Sequence, residues 1–185
     1  MIFTETPLAG AYVIDLDPLH DSRGFFARTW CEEEFEAMGL NARIAQCSVS
    51  YNRRRGTLRG MHYQVRPHEE TKLVRCTAGS IRDVIIDLRP DSPTLHMWTA
   101  VTLSAANRKS VFIPEGVAHG FQTLEDETEV MYQMSEHNSP GAARGIRWND
   151  PAFQIKWPLP VSALSETDSA FADFAPTAPL ATSVL

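Results

Sequence analysis

The sequence predicts a mainly β domain, a sandwich or barrel of short strands. Three observations carry that reading. Extended runs at 44–51, 57–64, 72–77, 80–88, 97–103, 110–113, 119–124 and 128–134 are separated by turn signals: Arg55-Gly56, Ala78-Gly79, Pro90-Asp91-Ser92-Pro93, Ala106-Asn107, Pro114-Glu115-Gly116 and Asp126-Glu127. Several runs alternate with a period of two: Val130, Tyr132 and Met134 share one face, and so do Lys72, Val74 and Cys76. Only one convincing amphipathic helix precedes residue 160, which argues against βαβ units and a parallel sheet.

In chain order, 11–16 reads as a first strand, Asp21-Ser22-Arg23-Gly24 as a turn and 25–29 as a resumed extended run. Thr29-Trp30-Cys31-Glu32 has the spacing of a capping box. The helix it opens would present Cys31, Phe35 and Met38 on one face and stop at Gly39. After the strand region the chain turns polar through 135–141. Trp148-Asn149-Asp150-Pro151 and 155–160 read as turns pinned by buried indoles. The whole chain, 1–185, reads as one domain. Its Ala-, Pro- and Thr-rich end from 170 to 185 is expected to be loosely ordered or packed on a neighbour.

The formal net charge of −6 speaks against a general binder of nucleic acid or acidic membranes. Cys31, Cys47 and Cys76 form neither a CxxC pair nor a disulfide framework, which suits a reducing compartment. No leader or membrane-length apolar run is read, so the expected location is the cytoplasm.

Two short stretches carry the candidate chemistry, Arg59–Gln64 and Ile113–Phe121. His62 reads either as a half-buried strand histidine or as a general base titrating near neutral pH. Strict alternation puts Leu58, Gly60, His62 and Gln64 on one face, and Arg59, Met61 and Tyr63 on the other. A bulge at Gly60 would re-aim one of Arg59 and His62. Pro114-x-Gly116-x-x-His119 is a spacing common in cupin-type barrels, where the histidine can bind metal. Gln64 stands where a second histidine would be, and spacing alone supplies neither histidine with a carboxylate partner. Lys72 is a snorkelling edge lysine or an ammonium aimed at a developing oxyanion. Tyr132 is by default a core tyrosine, and Asp168 a loop or cap residue. The arginines at 23, 53, 54, 55, 59 and 75, with Phe26, are solvated turns or a diphosphate clamp. No phosphate-binding glycine loop is present.

The ordered set 56–64, Lys72-Leu73-Val74-Arg75, Asp83–Arg89, Ser92-Pro93-Thr94, Ile113–Phe121 and Arg144–Pro151 resembles the dTDP-4-dehydrorhamnose 3,5-epimerase family, from about Tyr12 to Asp168. The resemblance implies a double-stranded β-helix (cupin-like jelly roll) with a few short helices, no metal or organic cofactor, and a homodimer. It implies a nucleotide-sugar substrate, a 4-keto-6-deoxy sugar deprotonated α to its C4 ketone and reprotonated on the opposite face. By motif, His62 matches the base, Asp168 its dyad partner, Tyr132 the acid and Lys72 the stabiliser of the enolate oxygen. Arg59 and His119 match substrate contacts, and Arg23 matches a diphosphate contact, with Phe26 and Gln46 nearby. Ser48 stands at a contact position where the family often has Asn. Arg28, Ala143 and Thr167 also depart from the common pattern, as does the stretch Glu136-His137-Asn138. The resemblance therefore speaks more firmly for the proton-transfer chemistry than for the nucleotide. A metal-dependent cupin oxygenase or isomerase and a non-catalytic sugar-nucleotide binding module are the alternatives.

Overall fold

The alternating runs fold into two facing antiparallel sheets. The computed structural model describes residues 1–175. Its strands are β1 (Ile2–Glu5), β2 (Tyr12–Asp15), β3 (Leu19–Asp21), β4 (Gly24–Phe26), β5 (Gln46–Asn52), β6 (Leu58–Gln64), β7 (Lys72–Ala78), β8 (Ser80–Asp87), β9 (Trp98–Ser104), β10 (Ser110–Ile113), β11 (Val117–Thr123), β12 (Thr128–Met134) and β13 (Ala143–Gly145). One sheet has the order β1-β2-β10-β7-β12-β5 and the other β13-β6-β11-β8-β9. Strands distant in sequence lie side by side in each, the arrangement of a jelly roll. β3 and β4 form a separate hairpin.

The inward faces make the main core: Val74, Cys76, Ile81, Ile85, Val111, Val117, Phe121 and Val130 all pack between the sheets. A second cluster, Met61, Val84, Ile86, Ala118, Ile146 and Phe153, covers the outside of the five-stranded sheet. β8 and β11 are therefore buried on both faces along nearly their whole length, and their polar side chains, among them Asp83, His119 and Gln122, are buried with them.

The helix is shorter than the sequence suggested. α1 (Glu32–Ala37) has Cys31 at its N-cap with no side-chain cap bond, so the capping box expected at Thr29 does not form. Glu32, Glu33 and Glu34 instead complement the positive end of the helix. Phe35 is buried, whereas Met38 is exposed beyond the last turn. Gly39, at φ 70°, ends the helix as expected. No helix among the described residues is long and apolar enough to cross a membrane.

One irregularity sets up the site. Between the pairs Arg59↔Phe121 and His62↔His119, β6 has two residues, Gly60 and Met61, where β11 has only Gly120. This bulge breaks the strict alternation. Met61 goes to the outer cluster while Arg59 joins His62 on the inner face, where its Nε donates to Asn52 Oδ1 at 2.8 Å. Gly60 is required for this close approach. It sits at φ 119°, and a Cβ there would lie 2.5 Å from Gly120 Cα and 2.8 Å from the His119 carbonyl.

Candidate active site

His62 projects from the middle of β6 into the open inner face of the barrel. Its Nε2 lies 2.6 Å from Oδ1 of Asp168, 106 positions later in the chain. Asp168 is not in a loop: it sits inside the short helix α2 (Glu166–Ser169). Ser165 caps that helix, its Oγ accepting from the Asp168 N–H at 3.0 Å. The helix docks where β6 lacks a strand partner. Ala163 bridges Thr57 on one side and Gly145 pairs with His62 on the other, which leaves the Gly60 N–H to donate to Asp168 Oδ2 at 3.2 Å. Burial pushes the Asp168 carboxyl up, but the His62 hydrogen bond and charge, the Gly60 N–H and Ser165 outweigh it and hold the group below its usual range. An ionised Asp168 assigns the proton to Nε2, and Nδ1 is then the ring nitrogen available as a base.

A second imidazole–carboxylate pair lies beside the first. His119, opposite His62 on β11, has its Nε2 2.7 Å from Asp83 Oδ2, and both side chains are buried. Burial raises the Asp83 carboxyl above its usual range against the opposing pull of His119 and Lys72. Spacing supplied neither histidine with a carboxylate, yet the fold supplies both, from remote elements. Asp83 was missed altogether. The available signal was a carboxylate bordering the apolar run Val84-Ile85-Ile86, since a buried charge requires a partner.

Tyr132 faces the same interior, its ring 6.1 Å from that of His119 in an edge-on arrangement. Burial pushes its phenol well above the usual range, reinforced by the Asp83 charge and opposed by Arg59 and a hydrogen bond to Ser50. The phenol is therefore protonated at neutral pH and able to act as an acid. Lys72 is buried at the start of β7, where its Nζ pairs with Glu70 Oε1 at 3.0 Å and approaches the His62 carbonyl at 3.4 Å. Glu70 also went unnoticed in the sequence, although it stands two positions before Lys72. Gln64 closes this end of the barrel: its amide donates to the carbonyls of His68 and His137, and its oxygen accepts from the Ser139 N–H.

The remaining expected contacts divide. Arg59, Gln46 and Ser48 line the inner face; Ser48 stands opposite Tyr132 in the β5–β12 ladder. Arg23 and Phe26 do not join them within this chain. Among the described residues Arg23 pairs only with Asp21 of its own hairpin, at 2.6 Å, and Phe26 is 70% exposed. The hairpin's ring contact with the body is through Phe25, under the Arg108 guanidinium at 4.9 Å. Among the described residues, no group of three or more His, Cys, Asp and Glu side chains is placed to hold a metal ion. The set as a whole offers an oriented imidazole, a buried ammonium and a protonated phenol. Together they can move a carbon-bound proton beside a carbonyl and hold the oxyanion that results.

Known proteins resemble the chain in sequence and in fold. A family model described as dTDP-4-dehydrorhamnose 3,5-epimerase matches residues 5–176. The dTDP-4-dehydrorhamnose 3,5-epimerase of Methanothermobacter thermautotrophicus is 45% identical over 157 residues, covering 85% of this chain and 84% of the relative. The crystal structure of the Bacillus anthracis enzyme of that name, with TDP and PPi bound, matches with a TM-score of 0.89 and 38% identity, over 94% of this chain and 99% of that one. The dTDP-6-deoxy-D-glucose-3,5-epimerase of Legionella pneumophila, in complex with dTDP-4-keto-L-rhamnose, matches with a TM-score of 0.84 and 33% identity, over 92% and 90% of the two chains.

Proposed function

The chain belongs to the dTDP-4-dehydrorhamnose 3,5-epimerase family, and on that premise we propose that it epimerises a dTDP-linked 4-keto-6-deoxy sugar by proton transfer between its own side chains and the carbons flanking the ketone. It is an isomerase of nucleotide-linked sugars. The observation that carries the mechanism is the 2.6 Å contact between His62 and Asp168. Asp168 orients the imidazole and offsets the charge it gains, so Nδ1 can take the proton α to C4. That proton is far less acidic than an imidazolium, so the enolate oxygen must be held. Lys72 is a buried cation in reach of the cavity, and desolvation strengthens its pull. Tyr132, kept protonated by burial, returns a proton on the opposite face. C3 and C5 both flank C4, so one oxyanion site serves deprotonation at either carbon.

The test is a panel of dTDP-, CDP-, GDP- and UDP-linked 4-keto-6-deoxy sugars incubated with the protein in heavy water. The dTDP sugar is expected to acquire deuterium at C3 and C5 by NMR. A faster response from another nucleotide would overturn the choice of dTDP, and uptake at one carbon alone would make the protein a mono-epimerase.

The hairpin that carries Arg23 and Phe26 supports a homodimer. Leu19 and Phe26 are each 70% exposed, and the outer face of edge strand β5 bares Val49 and Tyr51 at 61% and 48%. A second copy would cover this apolar surface and let Arg23 serve the partner's cavity. Sedimentation equilibrium at micromolar concentration is expected to give twice the chain mass of 20.7 kDa; the single-chain mass would contradict the dimer.

A further inference from the structure

The segment after α2, expected from its composition to be loose, is fastened to the barrel through Ala175. Arg147 pairs with Asp173 at 2.6 Å. The Phe174 N–H donates to Asp150 Oδ2 at 2.6 Å, and the Phe174 ring packs on Phe153 and His96 with centroids 5.1 and 5.3 Å away. These anchors hold down a ring that the proton-transfer scheme has not used. Phe171 lies three residues beyond Asp168, its ring edge-on to the His62 imidazole at 6.1 Å and 73°. It rests on bare backbone: a Cβ at Gly145, the β13 partner of His62, would lie 2.1 Å from the Phe171 Cε2 and Cζ.

We infer that Phe171 is a positioning residue for the His62–Asp168 pair, clamped between Gly145 and the imidazole by the fastened C-terminal segment. The ring walls off one side of an imidazole that is otherwise half open to solvent. It narrows the orientations of the imidazole and keeps water from competing for the bond to Asp168. The packing also explains the glycine: Gly145 is not in the left-handed region, so it is the ring rather than the backbone conformation that forbids a side chain there. This role rests on His62 being the base.

The test is a cycle of Phe171→Ala, Gly145→Ala and the double variant, made in the full chain. Turnover of the dTDP-linked 4-keto sugar and the melting temperature are measured for each. Phe171→Ala is expected to lower kcat roughly tenfold, less than the ~100-fold cost of a full 1 Å misplacement, while KM stays within about twofold because the ring acts on the imidazole and not on the substrate. Gly145→Ala is expected to lower kcat similarly by displacing the ring. The double variant is expected to be no slower than Phe171→Ala, because the added methyl then enters vacated space. An unchanged kcat with a lowered melting temperature would reduce Phe171 to an anchor of the tail. Losses that multiply in the double variant would also overturn the clamp. His62→Gln separates the two claims: an active His62→Gln protein would reject the base itself, whereas an inactive one beside a fully active Phe171→Ala protein would reject only the positioning role.

Discussion

His62→Gln should lower epimerisation by roughly a thousandfold or more, within or beyond the range usual for a lost general base. The expectation follows from the division of labour on the ring. Nε2 is committed to Asp168 at 2.6 Å, so Nδ1 alone is available to take the substrate proton. The neighbouring imidazole offers no easy substitute, because His119 is buried and bound to Asp83. Glutamine is preferred to alanine because its amide can still donate to Asp168. Without a donor the buried carboxylate would lose its strongest partner, and a destabilisation of about 1–3 kcal/mol would confuse the kinetics. An unchanged melting temperature with lost turnover is the expected result. Turnover within tenfold of the parent would mean that another group removes the proton.

Loss of the Lys72 ammonium is the second large effect. Removing a charge aimed at a developing oxyanion costs about 10²–10³ in kcat. Lys72 is also one half of a buried pair with Glu70 at 3.0 Å, and breaking such a pair from one side costs about 3–5 kcal/mol of stability. Lys72→Ala alone would therefore mix chemistry with folding. Glu70→Gln combined with Lys72→Met removes both charges and keeps most of the volume. The double variant is expected to melt near the parent temperature and to remain at least about a hundredfold slow. Recovery of turnover in the double variant would make Lys72 a structural partner of Glu70.

Most strands of the two sheets were legible because their residues alternate and turn signals bound them; β8 and β12 came out within a residue of their ends, whereas β1 (Ile2–Glu5) was not read as a strand. β13 was not legible. Ala143, Arg144 and Gly145 have no apolar alternation, and their strand exists because β6 offers an edge. The faces of β6 were half legible. Alternation placed His62 and Gln64 correctly, but the bulge that brings Arg59 beside them depends on Gly60 and Gly120 meeting across two strands. The partners of the two histidines lie 106 and 36 positions away. Asp168 was reached only through resemblance, because nothing in Ser165-Glu166-Thr167-Asp168 says that its helix will plug a gap beside Gly60. Phe171 and Phe174 were hidden by composition: Ala and Pro around them suggest a loose tail, and only the barrel surface shows what the two rings rest on.

Inversion needs a base on one face of the sugar and an acid on the other, and Tyr132→Phe in heavy water separates them. His62 is open enough to exchange its captured proton with solvent. If His62 takes the proton and Tyr132 returns it from the far side, Tyr132→Phe should replace hydrogen by deuterium beside the ketone with retained configuration, while inversion stops. Continued inversion in Tyr132→Phe at the parent rate, or no deuterium uptake by a folded variant that still binds the sugar nucleotide, would contradict it.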